Sequence, residues 1–61
     1  FPNLTAQDLR LAAYLKMNLT TKEIAPLLNI STRGVEIKRY RLRKKMNLDE
    51  HENLSDFMIR L

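Results

Sequence analysis

The 61-residue sequence predicts an all-α fold of four short helices in one domain, residues 1–61. Apolar residues recur at helical spacing in successive segments, and residues typical of N-caps precede them. β-Branched residues are scattered rather than alternating, which disfavours strands. With one glycine and two prolines, the chain also has little turn material. A domain of this length buries only about 60% of its unfolded surface and is marginally stable alone.

The first helix is predicted to begin at Thr5 and to end near Met17 or Asn18. Thr5 and Asp8 have the spacing of a capping box, in which the N-cap hydroxyl and a carboxylate three residues later satisfy free backbone amides. Asn18 tolerates the left-handed conformation that often follows a helix. The expected core residues are Leu11, Ala12, Leu15 and Leu19.

The second helix is predicted to begin at Thr20, which forms another capping-box pair with Glu23. Pro26 lies past the first turn and removes one hydrogen bond to the carbonyl of residue 22. We therefore expect a short or slightly distorted helix that ends at Asn29. Its expected core residues are Ile24, Ala25 and Leu28.

The third helix is predicted to follow a tight turn at residues 29–31, with Ser31 as its N-cap, and to run to about Met46. Val35, Leu42 and Met46 lie on one stripe, and the aliphatic stem of Lys38 fills the gap between them. The opposite side of this helix carries residues 33, 36, 37, 40, 41 and 44.

The fourth helix is predicted to begin near Asn53, with Asp56 at its third position, after an acidic loop at residues 47–52. Its apolar stripe consists of Leu54, Phe57, Met58 and Leu61. We expect Leu54 and Met58 to close the core. Phe57 and Leu61 either complete the same core or are shared with a partner helix.

Positive charge is concentrated on the third helix. Residues 31–46 contain seven basic residues and one acid, a net charge of +6, whereas the other 45 residues sum to −2. One face of this helix is apolar and the other is cationic. Such a helix has the electrostatic footprint expected of a protein that binds duplex nucleic acid.

Composition argues against several other classes of protein. The chain has no cysteine, so it has neither disulfides nor a cysteine-based zinc site, and it has no apolar run near the ~20 residues needed to span a bilayer. His51, the single histidine, has only a loose acidic cluster nearby. No catalytic constellation or phosphate-binding glycine loop is visible. We expect no enzyme activity, cofactor, metal or membrane contact, and a cytoplasmic location. Because the chain opens without methionine, we also expect a fragment of a longer protein.

Two helices joined by a short turn, the second of them basic, form the helix-turn-helix arrangement. The residues that carry this pattern resemble the LuxR-type (GerE-type) helix-turn-helix domain. The matching residues are Leu4-Thr5, Lys22-Glu23-Ile24-Ala25, Leu28, Ile30-Ser31, Val35 and Lys45-Met46. Between Leu4 and Leu48 the register fits without a gap, which covers about three quarters of the chain.

The resemblance implies a tri-helical core plus a fourth C-terminal helix, found at the C-terminal end of bacterial transcription regulators. In such domains the third helix enters the major groove of double-stranded DNA, and the fourth often contacts a second copy in a homodimer. Sensor or receiver domains then belong to the rest of the regulator. The sequence departs from the family at Asn18, Gly34, Glu36 and Lys38, where the family commonly has Gly, a small hydroxyl residue, a basic residue and His.

Three basic residues on the outward face of the third helix are candidates for contacts with phosphates or guanine edges: Arg33, Arg41 and Lys44. The alternative is that these side chains are exposed to solvent and bind no nucleic acid. At the start of the second helix, Lys22 can contact phosphate, and Thr20 and Thr21 can donate to it. Helix capping alone also explains Thr20, and Lys22 can form a solvated pair with Glu23.

Three other residues on the same outward face are candidates for choosing a DNA sequence. Ile37 can pack on a thymine methyl, the Tyr40 hydroxyl can reach a phosphate or a base edge, and Glu36 can accept from a cytosine amine. Alternatively, Ile37 or Tyr40 turns into the core or packs on a partner helix. Glu36 can equally pair with Arg39 or Tyr40 one turn along.

Arg43 and Lys45 point partly away from the outward face, so salt bridges to the acidic loop are an alternative to DNA contact. A second hypothesis for the whole domain is a protein-interaction module whose basic helix docks an acidic partner, such as a receiver domain or polymerase. RNA binding is a weaker third hypothesis, because Tyr40 is the only aromatic residue on the basic face.

Overall fold

A computed structural model describes residues 3–48 and 53–60 and contains four helices in them. They are α1 (Ala6–Lys16), α2 (Thr21–Leu28), α3 (Thr32–Lys45) and α4 (Leu54–Arg60). The all-α prediction is confirmed, and the helix limits agree with those expected from the caps. Most of the acidic loop, including His51, and the last apolar position of α4, Leu61, lie outside the described residues.

Side-chain caps begin the helices where the sequence predicted them. At α1, the Thr5 amide donates to the Asp8 carboxylate at 2.9 Å and the Asp8 amide donates to the Thr5 hydroxyl at 3.1 Å. The Thr20 and Glu23 pair repeats this arrangement at α2 with distances of 2.8 and 3.2 Å. At α3 and α4 a single side-chain oxygen caps the helix, from Ser31 and Asn53 respectively.

Helices α1, α2 and α3 are each followed by an asparagine in the left-handed region, with φ of 61°, 56° and 56° at Asn18, Asn29 and Asn47. After α2, the Asn29 amide donates to the Pro26 carbonyl at 3.2 Å and the Ile30 amide donates to the Ala25 carbonyl at 3.0 Å. These two bonds form a Schellman motif, which ends α2 and sets the corner before α3. The residues after the three asparagines pack against the core: Leu19, Ile30 and Leu48.

The core receives side chains from all four helices, with α1 packed chiefly on α4 and α2 on α3. Its buried members are Leu11, Leu15, Ile24, Ala25, Leu28, Val35, Leu42, Met46, Leu54 and Met58. The prediction that Leu54 and Met58 close the core is confirmed. Ala12, Leu19 and Phe57 are partly buried at its edge.

Two polar contacts join α3 to the first turns of α1. Lys38 Nζ donates to Gln7 Oε1 at 2.8 Å, and Lys45 Nζ donates to Asp8 Oδ2 at 2.6 Å. Burial by itself raises the pKa of Asp8, but the hydrogen bonds from Lys45 and Thr5 outweigh it, so the pKa lies below its ordinary value. Lys45 thus pairs with α1, because the end of α3 lies beside the start of α1.

Among the helices at residues 3–48 and 53–60, none combines the length and the apolar character needed to span a bilayer.

Candidate nucleic-acid interface

The outward face of α3 lies opposite its core residues Val35 and Leu42, which are fully buried. Helical phase places the six predicted positions on this side, and all of their side chains are exposed. The fold therefore leaves this whole set free to meet a ligand. Its members are Arg33, Glu36, Ile37, Tyr40, Arg41 and Lys44.

Four of these side chains line a shallow depression of about 300 Å³: Arg33, Glu36, Ile37 and Tyr40. Ile37 is 40% exposed and Tyr40 is 57% exposed, so the alternative that either turns into the core is wrong. The lining of the depression combines apolar surface with a guanidinium and a carboxylate. This mixture can contact both the methyl groups and the polar edges of bases.

Tyr40 and Lys44, one turn apart on α3, form a cation–π pair with Lys44 Nζ 5.0 Å from the ring centroid. Its interaction with the Tyr40 side chain raises the pKa of Lys44 above its ordinary value. Lysine is protonated at physiological pH even without this shift, so Lys44 is a cation there in either case. The contact also holds the amine over the tyrosine ring, at the edge of the depression.

Glu36 is an exposed acid on a cationic face. Among the residues that the structure describes, it forms neither an ion pair nor a hydrogen bond, so the alternative of a salt bridge to Arg39 is not realised. It acts on the Arg39 guanidinium only through longer-range attraction. Its carboxylate oxygens are available as hydrogen-bond acceptors.

The three other predicted residues, Thr20, Thr21 and Lys22, lie at the start of α2. The Thr20 amide and hydroxyl both take part in the capping box. Helix capping was the alternative explanation for Thr20. The Thr21 hydroxyl is half-buried and accepts a hydrogen bond from Arg39 Nη1 at 3.4 Å. Lys22 is exposed. Since the first intrahelical bond of α2 comes from Ile24, the helix itself supplies no acceptor for the amides of Thr21 and Lys22.

The Arg39 contact brings this first turn of α2 against the middle of α3. From the sequence alone, Arg39 has no assigned role beyond pairing with Glu36, because it is not one of the six outward positions of α3. Only the packing of α2 on α3 brings Arg39 to Thr21, 18 residues away in the chain. The described residues also contain no cluster of three histidine, cysteine or acidic residues that could hold a metal ion.

Comparison with known families decides which class of domain carries this arrangement. Residues 2–58 match the profile of the family described as bacterial regulatory proteins, luxR family (GerE). The chain belongs to the LuxR family. The resemblance read from the sequence is thus confirmed, including the helix-turn-helix formed by α2 and α3. No curated protein and no solved structure matched the chain in the corresponding searches.

Family membership identifies a DNA-binding domain of bacterial transcription regulators. The LuxR family is a regulatory family that binds DNA, rather than a family of enzymes. On α3 and at the start of α2 of this LuxR-type domain, cations, hydroxyls and exposed apolar side chains occur together.

Proposed function

We propose that this domain binds double-stranded DNA sequence-specifically by placing α3 in the major groove, as the output domain of a bacterial transcription regulator. The observation that carries the proposal is the outward face of α3. It combines three exposed cations with an exposed acid, an isoleucine and a tyrosine. Cations alone give affinity for any duplex, whereas the three other residues supply chemistry that differs between base pairs.

The basic residues of this face supply the part of binding that does not depend on sequence. Arg33, Arg41 and Lys44 contact phosphates or guanine edges, and each phosphate contact releases counterions from the DNA. At the start of α2, Lys22 contacts the backbone, together with the hydroxyl of Thr21 and the free backbone amides there. The Thr20 hydroxyl accepts within the capping box and keeps only its own hydrogen for a phosphate.

The depression on α3 supplies the sequence-dependent part. Ile37 packs on a thymine methyl, and Glu36 accepts a hydrogen bond from a cytosine amine. Tyr40, held by Lys44, presents its hydroxyl to a base edge or a phosphate. The Glu36 carboxylate repels DNA phosphates. Glu36 is therefore expected to increase sequence selectivity rather than affinity for any duplex.

Partners of the domain follow from the same proposal. We propose that residues 1–61 form one output domain, that sensor or receiver domains of the regulator control it, and that it acts in the cytoplasm, where bacterial DNA lies. A homodimer through α4 would place two copies on two half-sites. Phe57, partly buried at the edge of the core, and exposed Ile59 are the apolar residues of α4 available for that contact.

A titration of a duplex obtained by random-sequence selection tests the proposal. We expect the logarithm of affinity to fall linearly and steeply with the logarithm of salt concentration, with a slope of about −0.9 for each phosphate contacted. Arg41→Ala should weaken binding to selected and random duplexes alike. Glu36→Ala should mainly change which sequence is preferred. Affinity that does not vary with salt contradicts the proposal.

A further inference from the structure

Arg39 is a partly buried cation whose hydrogen-bond partner in the described part of the chain is a neutral hydroxyl. Its side chain lies between α2 and α3, and Nη1 donates to the Thr21 hydroxyl oxygen at 3.4 Å, a long hydrogen bond to a neutral acceptor. Within residues 3–48 and 53–60, no carboxylate lies at ion-pair distance from its guanidinium. Charged groups that leave water are normally paired, because their desolvation is costly.

The surroundings of Arg39 increase this imbalance. Burial lowers the pKa of Arg39, and the positive charge of Arg43 lowers it further, with Glu36 opposing both more weakly. Arg43 lies one turn along the same side of α3, and its buried Nε has no hydrogen-bond partner. Among the described residues, the two guanidinium groups therefore repel each other, and the weaker attraction of Glu36 opposes this repulsion. The folded domain alone gains little from this arrangement.

The position of Arg39 suggests which anion completes the arrangement. Its contact with Thr21 places the guanidinium at the start of α2, next to the exposed Lys22. This junction flanks the outward face of α3. A duplex with α3 in its major groove has a phosphate backbone along each side of that helix.

We propose that Arg39 is a phosphate-binding residue of the DNA interface, held in place by Thr21 and directed to the duplex backbone on the α2 side of α3. The inference rests on the proposed function and adds a residue that is not among the six outward positions predicted from helical phase. The Thr21 hydroxyl accepts from Arg39, so its own hydrogen is free to donate to the same phosphate oxygen. Arginine donors match phosphate oxygens in a bidentate manner.

Substitution of Arg39 by glutamine, with Arg10 as the matched control, tests the assignment. Arg10 is an exposed arginine of α1, so Arg10→Gln removes the same charge from outside the proposed interface. The measurement is the affinity for the selected duplex between about 50 and 200 mM salt, the range over which phosphate contacts alter binding strongly. We expect Arg39→Gln to bind about tenfold more weakly at low salt. The slope against salt should also become shallower by about 0.9.

If Arg39 only stabilised the fold, Arg39→Gln would lower the folded fraction without changing the salt slope of DNA binding. The salt slope is therefore the deciding quantity. A wild-type slope in Arg39→Gln, or an equal change in Arg10→Gln, overturns the assignment while leaving the proposed function intact. A wild-type domain whose binding does not depend on salt overturns the proposed function itself. The two failures are therefore distinguishable.

Arg39→Lys gives a second test if the glutamine variant does not fold. Lysine keeps the charge and most of the aliphatic stem but cannot donate two parallel hydrogen bonds to one phosphate. We expect the wild-type salt slope with an affinity reduced several-fold. Wild-type affinity in Arg39→Lys overturns the assignment.

Discussion

Lys45 Nζ donates to Asp8 Oδ2 at 2.6 Å, and the same carboxylate oxygen accepts the Thr5 amide at 2.9 Å. One oxygen of Asp8 therefore both caps α1 and holds the end of α3 against it. The preceding residue, Lys44, instead lies over the Tyr40 ring on the outward face. Two adjacent lysines thus serve different purposes, one in the fold and one at the surface.

This difference predicts separate effects for the two lysines. Lys45→Gln should lower the free energy of unfolding by up to about 1 kcal/mol, since the pair is partly exposed and screened by solvent. Its effect on the salt slope of DNA binding should be small. Lys44→Gln should leave stability nearly unchanged and make the slope shallower by about 0.9. Urea denaturation and duplex titration of both variants provide the check, and identical behaviour of the two would contradict the structure.

Acid should destabilise the domain through its two capping boxes. The pKa values of Asp8 and Glu23 lie below their ordinary values of 3.8 and 4.5, because both carboxylates accept backbone amides and, for Asp8, Lys45. Groups with lowered pKa values stabilise the folded state fully above the pKa of the unfolded chain. The contribution is lost as pH falls below about 5 and through the folded pKa.

Thermal melts followed by circular dichroism between pH 7 and pH 3 test this expectation. The wild-type melting temperature should fall over the acid limb of that range. The double variant Asp8→Asn, Glu23→Gln should melt lower at pH 7 and should lose much of this acid dependence. An unchanged pH profile in the double variant would show that the caps are not the source.

Much of this fold could be predicted from sequence because its determinants are local. The capping boxes join residues three positions apart, and asparagine at residue 18 or 29 is suited to the left-handed conformation it adopts. Helical phase also predicted that Ile37 and Tyr40 face outward. Contacts between distant segments could not be predicted in this way. Lys45 reaches Asp8 across 37 residues and Arg39 reaches Thr21 across 18, and only the packing of helices selects those partners.

Gly34 is not required by the geometry of α3. A Cβ at this position would lie 3.4 Å from both Ile30 Cδ1 and Ser31 Oγ, which is van der Waals contact without overlap. Glycine inside a helix is less favourable than alanine by about 0.5–1 kcal/mol. Gly34→Ala should therefore raise the free energy of unfolding by about that amount, measured by urea denaturation. A clear loss of stability would show that the turn before α3 cannot accommodate the methyl group.

Asn29 should tolerate glycine but not alanine. Its φ of 56° lies in the left-handed region, where a Cβ costs roughly 1–2 kcal/mol unless the side chain is asparagine or aspartate. Asn29→Ala should therefore lower the free energy of unfolding by about 1 kcal/mol, and Asn29→Gly should change it little. Equal losses in the two variants would mean that the Asn29 side chain, rather than its backbone conformation, holds the corner between α2 and α3.

We propose above that the outward face of α3, with the start of α2, binds duplex DNA. The most direct test of this proposal is amide chemical-shift mapping of the domain during titration with a selected duplex. We expect the largest changes along residues 33–44 and at residues 20–22, with small changes on the part of α1 that faces away. Changes centred on α1 and α4, with α3 unaffected, would contradict the proposal and would favour a protein-interaction module instead.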